Sequence, residues 1–429
     1  MARHRVGRFG VLIASALLLG VCTAVMAATY YVSPAGADTN LGTDAQPFGT
    51  INYAITRLAA GDVLKLNPGS YKERVQLEPL VNVANFRIEA TTSRAAIIEG
   101  DGTEECAFDA TLPIAGLQLT GLVIANSGDG DGLHLANAQN VTITDCEIKD
   151  SYRSLWIENG SNVALRKCYV HDNYKGYMLG WDAESLAGLS ITDCVAANNS
   201  NNTNEYSDGF SIEGACSKVT ISRCVSYGHG DTGFDVKPVG TVIDRCRAFN
   251  NWEAGFKLWR DSIQLSNSLS HHNGGYGVIA VGNKLKLWNL TLANNGYYGM
   301  QLESSSPASV SVRNCVFFLN PVWVKKPVMY SDSNNCYFVG GRGWMFYLGF
   351  DKQWRAVDMA GGVYPLAASS IVANPRFVSY SGGNYHLLSN SPCIRRGVWI
   401  NNYMLYDLEG SKRVQPIDLG AYKYTPATP

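Results

Sequence analysis

Three consecutive segments decide the fold: DTGFDVKPVGTVIDRCRAFNNW (residues 231–252), EAGFKLWRDSIQLSNSLSHHNG (253–274) and GYGVIAVGNKLKLWNLTLANNG (275–296). Written one beneath another they align without a gap, so Phe234, Phe256 and Val278 share one column and Ile243, Leu265 and Leu287 another. Working outward, the first column takes in Leu133, Leu155, Tyr177 and Phe210 before it and Met300 after it, in steps of 22, 22, 33, 24, 22, 22 and 22 residues. A cysteine column follows the same cadence through Cys146, Cys168, Cys194, Cys224, Cys246, Ser268, Leu290 and Cys315. An asparagine column runs Asn173, Asn199, Asn251, Asn273, Asn295 and Asn320, with His229 interrupting it.

Short alternating strands at a fixed period describe an all-β chain wound as a right-handed parallel β-helix. Coils stacked at ~4.8 Å make residues one period apart direct neighbours. Stacked Asn side chains can then hydrogen-bond along a ladder. The cysteines of the inward column read as small buried hydrophobes with free thiols, and no CxxC or Cys/His spacing marks them as metal ligands. Ile51, Ala54, Ile55 and Leu58 share one face of a short helix within Thr50–Ala59, enough to cover the open end of the first coil. After about residue 325 the period fades, and Asn374-Pro375, Gly382-Gly383 and Pro392 punctuate an irregular C-terminal cap.

The chain has 429 residues, of which 17% are charged, with 43 glycines and 23 tyrosines. That profile excludes disorder and a coiled coil, and the near-neutral balance speaks against nucleic acid as a partner. Arg3, Arg5 and Arg8, the apolar run Val11–Val25 and the small residues ending at Ala28 read as an export signal. Its removal lowers Lys+Arg from 35 to 32 against 36 acidic residues, a mature charge near −4. The expected division is 1–28 signal peptide, 29–100 N-terminal cap and first coils, 101–325 β-helix with the catalytic face, and 326–429 last coils and C-terminal cap. A periplasmic or secreted monomer is expected, free of the membrane once the signal is cleaved.

Alternation sets side-chain direction. Leu135, Ile157, Leu179, Ile212, Val236, Leu258, Ala280 and Leu302 lie two past each anchor and point inward. His134, Trp156, Met178, Ser211, Asp235, Lys257, Ile279 and Gln301, one past each anchor, therefore face out. Asp235 and Lys257 are stacked one coil apart, and Asp208 and Asp231 approach the same strand entrance. Three carboxylates meeting there suit a hard cation such as Ca²⁺. The plain alternative is a cross-strand Asp–Lys pair beside turn aspartates. Trp156, Trp181, Tyr206, Trp252, Trp259 and Tyr276 fall on outward or turn positions, where sugar rings could stack.

Asp208-Gly209-Phe210, Asp231-Thr232-Gly233-Phe234-Asp235 and Gly255-Phe256-Lys257-Leu258 resemble the site of polysaccharide lyase family 9, the pectate-lyase-like β-helix enzymes. Tyr30-Tyr31-Val32-Ser33-Pro34 is similar to that family's N-terminal segment. The resemblance implies Asp208, Asp231 and Asp235 as Ca²⁺ ligands and Lys257 as the Brønsted base. Thr232 stands where the family usually has a further Asp, and Glu253, in the equivalent turn of the next coil, is the residue that could compensate. Lys237, Arg260, Trp259, Trp252 and Tyr206 are the expected substrate contacts. The implied reaction is β-elimination in an acidic, uronate-containing polysaccharide, pectate-like or a bacterial exopolysaccharide. Two readings stand beside it: a glycoside hydrolase using paired aspartates, and a noncatalytic carbohydrate-binding β-helix, which Thr232 favours.

Overall fold

A computed structural model describes residues 26–426 apart from 101–105, 126–129, 174–184, 200–206, 213–215, 304–308, 325–328, 341–343, 349–352, 357–366 and 401–404. Most of the signal segment, and Tyr177, Met178, Leu179, Trp181 and Tyr206, thus lie outside the described residues.

The chain winds into a parallel β-helix whose described residues form three sheets of 17, 13 and 8 strands along its faces. On the face that carries the candidate site, Phe210–Ile212, Phe234–Val236, Ala254–Leu258, Tyr276–Ala280, Tyr298–Leu302 and Val322–Val324 pair in parallel. Phe210 lies opposite Phe234, then Phe256, Val278, Met300 and Val322, so the repeat read from sequence is the register of the sheet. Inside, Phe210, Phe234 and Phe256 are fully buried and stacked, their ring centroids 4.7 and 4.9 Å apart. A buried side chain of that size contributes ~1.5–3 kcal/mol. The six column cysteines are buried, and all ten described cysteines are free. Burial raises the thiols of Cys146 and Cys315, which keeps them protonated and inert.

One bend of each coil is made by a residue in the left-handed conformation. Asp145, Lys167, Asp193, Arg223, Arg245, Asn267, Asn289, Asn314 and Asn334 have φ between 49° and 56° and recur once per coil. Asn and Asp tolerate that region because their short polar side chains bond locally, and they hold six of these nine corners.

The asparagine ladder forms. Asn251 Nδ2 donates to Asn273 Oδ1 (2.9 Å), Asn273 Nδ2 to Asn295 Oδ1 (2.9 Å) and Asn295 Nδ2 to Asn320 Oδ1 (3.0 Å). His229 continues it: its Nδ1 accepts from Asn199 N–H (3.2 Å), its own N–H donates to Asn251 Oδ1 (3.3 Å), and Nε2 donates to the Ala196 carbonyl (3.2 Å). The single acceptor of the ring leaves the buried Asn199 Nδ2 without a partner among the described residues. Burial pushes the His229 pKa down to about 3. The unfolded chain takes up this proton near ~6.5 and the folded one does not until about 3, so stability is lost as pH falls through that window. The slope is ~1.4 kcal/mol per pH unit. His229→Asn restores the ladder and is expected to flatten the fall of Tm between pH 6 and 4; an unchanged profile would show that His229 is not neutral in the fold.

The N-terminal helix is shorter than its apolar pattern, Ile51–Ile55, capped by Thr50. Ile51, Ala54, Ile55 and Leu58 are all buried, as read. Glu73 accepts from the N–H groups of Ile51 (2.8 Å) and Asn52 (3.0 Å), satisfying donors that helix starts leave open. The irregular C-terminal cap reaches further than the last coil. Phe377, Tyr385, Leu387, Leu419 and Tyr422 form one buried cluster with Leu269, Ala293, Val316 and Phe318, on the outer flank of the 13-stranded sheet. Arg413, 3% exposed, pins this tail by donating to the carbonyls of Asp418, Gly420 and Ala421.

Candidate active site

The strand following each Gly carries its outward residue onto the wall of the helix, and Asp235 lies directly opposite Lys257 in parallel register. Asp208 sits in the turn before Phe210 and accepts the Thr232 N–H through Oδ1 (3.0 Å). Asp231 and Glu253 are joined through Thr232, whose hydroxyl lies 3.3 Å from each. Lys257 Nζ donates to Glu253 Oε2 at 3.0 Å, and Lys237 Nζ stands 3.5 Å from Asp235 Oδ2. The Trp259 indole N–H donates to Asp235 Oδ1, and its ring lies 4.9 Å from Lys257 Nζ and 5.9 Å from Lys237 Nζ.

Four carboxylates therefore face two ammonium groups in a half-buried patch. Asp208 is 5% exposed, and burial, then the charges of Asp235 and Asp231, drive its carboxyl well above the ordinary range. Burial and the charge of Glu253 push Asp231 up to about 7. Burial works against the charge on Lys257, but Glu253, Asp235 and Asp231 outweigh it and hold the amine above its usual value. Lys257 is thus an ammonium ion in this arrangement.

Asp208, Asp231, Thr232, Asp235, Glu253, Lys257, Lys237 and Trp259 are brought together as the sequence implied. Three placements differ from that expectation. The acids share one electrostatic environment but not yet one point: among the described residues, no three of their ligand oxygens lie mutually within 4.8 Å. Mutual repulsion opposes closer approach, while Trp259 and Lys237 hold Asp235 and Lys257 holds Glu253. Arg260 is exposed beyond Trp259 and makes no described contact with the cluster. Trp252, 65% exposed, lines an open hollow of about 390 Å³ with His229, Asn251, His272 and Gly274 at the asparagine-ladder corner.

The donor set is all oxygen and rich in carboxylate, which fits a Ca²⁺ ion. Asp208, Asp231 and Asp235 would hold it, with Glu253 as the fourth acid in place of the one that Thr232 does not supply. Two partnerships that spacing alone did not show are Trp259 with Asp235 and Lys257 with Glu253. The second was open to reading, because the two residues are four apart on adjoining turn and strand.

Another polar cluster lies upstream, on strands of the 17-stranded sheet. Asp109 pairs in register with His134, and His134 with Trp156. His134 Nδ1 is 2.9 Å from Asp109 Oδ1, and Nε2 is 2.8 Å from Glu158 Oε1.

A family model described as the Pel9A-like, right handed beta helix region matches residues 30–322. Pectate lyase PEL9 of Emericella nidulans is 24% identical over 327 residues, covering 69% of this chain and 68% of that protein. Among solved structures, pectate lyase Pel9A superposes with a TM-score of 0.54 at 16% identity, over 93% of this chain and 96% of that one. XylC in complex with xylose superposes with a TM-score of 0.57 at 10% identity, over 92% and 98%. These superpositions establish the shared fold.

Proposed function

Since this chain belongs to the Pel9A-like, right-handed β-helix family, we propose that it is an exported, Ca²⁺-dependent polysaccharide lyase acting on a uronate-containing polymer. The observation that carries the reading is Lys257 directly opposite Asp235 on the outer wall, with Asp208, Asp231 and Glu253 around them. That the Emericella nidulans relative is a pectate lyase supports the reaction class.

Lys257 removes the proton on C5 of a uronate, the C4–C5 double bond forms, and the bond from C4 to the glycosidic oxygen breaks. The leaving oxygen takes its proton from solvent. A lysine can do this only as the free amine, and Glu253, Asp235 and Asp231 oppose that state. Ca²⁺, when bound, supplies the neutralisation those acids need and draws charge from the substrate carboxylate. Trp259 orients Asp235 and covers Lys257 and Lys237, and Lys237 offers a second cation to an acidic chain.

One observation favours a hydrolase instead. Asp231, pushed up to about 7, keeps a proton that a general acid could deliver to a glycosidic oxygen. The two reactions leave different products. Purified protein with Ca²⁺ is to be incubated with pectate, alginate, glycosaminoglycans and bacterial exopolysaccharides. Ultraviolet absorbance of an unsaturated uronate on one of them is the expected result. New reducing ends without that absorbance would assign a hydrolase, and retention without cleavage a binding protein.

A further inference from the structure

We infer that the chain carries a second metal site, for a zinc-class divalent ion, built from Cys106, Asp109 and His134 and independent of the proposed lyase chemistry. The ligand atoms of these three residues lie within 4.8 Å of one another, the one such grouping among the described residues. Sequence spacing conceals it: the register of Phe108–Ala110 with Leu133–Gln139 sets Asp109 opposite His134, 25 residues away, and Cys106 enters just before the first strand. Thiolate, imidazole and carboxylate together form a borderline-soft donor set, which suits Zn²⁺ rather than Ca²⁺.

The geometry needs little change. An ion bonded at about 2.0–2.1 Å to an imidazole nitrogen and a carboxylate oxygen in tetrahedral geometry sets the two about 3.3 Å apart. Nδ1 of His134 and Oδ1 of Asp109 are 2.9 Å apart, so they part by a few tenths of an ångström as the ion takes the place of the shared proton. His134 Nε2–H keeps its bond to Glu158 (2.8 Å), an outer carboxylate that fixes the ring. Arg74 holds Asp109 Oδ2 at 2.6 Å and leaves Oδ1 toward the ring. The ring is also packed by its neighbours: Trp156 stacks on it at 4.3 Å, and the Arg153 guanidinium lies 3.7 Å from the centre of that indole. Asp109 and His134 are 2% and 7% exposed, so the donors are already largely out of water. On binding, the Cys106 thiol proton and the proton between His134 and Asp109 go to solvent while three bonds to the ion form. A fourth position stays open to water.

The test uses the full chain, stripped by chelator and titrated with Co²⁺. A thiolate-to-cobalt charge-transfer band saturating at one equivalent and displaced by Zn²⁺ is expected. Cys106→Ser should abolish the band, and Glu158→Gln should weaken affinity by ~10–100-fold. Lys257→Ala should bind cobalt as the unaltered protein does. Cys106 is the one described cysteine that is not buried, so Zn²⁺ should slow its alkylation by iodoacetamide at least about tenfold in the unaltered protein. That readout needs no variant. A missing charge-transfer band, alkylation indifferent to Zn²⁺, or a band that survives Cys106→Ser would each overturn the site.

Discussion

Replacing Lys257 by alanine is expected to cut formation of unsaturated product by ~10²–10⁴-fold, the usual contribution of a positioned general base, and to leave the β-helix intact. The fold is spared because Lys257 points outward and is 19% exposed, while its neighbours Phe256 and Leu258 fill the core. A second substitution separates base from counter-ion. Lys257→Arg keeps a positive charge against Glu253 but cannot give up its proton at any working pH. It should be as inactive as the alanine variant while matching the unaltered protein in thermal stability. If the arginine variant retains turnover, Lys257 serves the acids as a cation and another group removes the proton.

Asp208→Asn should move activity and metal-free stability in opposite directions. Asp208 is buried beside Asp235 and Asp231, and its folded pKa is raised. A raised carboxyl favours the fold at low pH, and that advantage is lost as pH rises through its folded pKa. The amide has no charge to bury and can still accept the Thr232 N–H. In chelator at neutral pH the variant should therefore be more stable by ~1–2 kcal/mol, the scale of relieving one poorly compensated buried polar group. In Ca²⁺ it should lose at least about tenfold in rate, and the ion should stabilise it less than the unaltered protein. Chelation of the latter should stop turnover and added Ca²⁺ restore it. A variant destabilised both with and without the ion would make Asp208 a structural residue, and turnover indifferent to chelator would remove the metal from the reaction.

Much of the architecture was legible because one physical rule links sequence to space in a solenoid. Phe234 and Phe256, 22 residues apart, had to stack, and their rings do. Asp235 and Lys257 had to face each other on the wall for the same reason. The corners were less visible. Asp193 and Asn267 suggest a left-handed turn by their chemistry, but Lys167, Arg223 and Arg245 hold the same conformation and give no such sign. Arg223 is kept there by two contacts to Asp193, 2.6 and 2.8 Å long, from the preceding coil.

From the sequence alone came the coil, its period, the inward and outward columns and the neighbours one turn apart, since stacking converts a repeat into contact. The partners each charged side chain chooses came from the tertiary structure: Glu253 for Lys257, Trp259 for Asp235, His134 between Asp109 and Glu158, His229 within the asparagine column, and the tail laid along the flank. Those choices depend on rotamers, burial and the summed field of groups from several coils, and apart from the four-residue step between Glu253 and Lys257 no spacing along the chain encodes them.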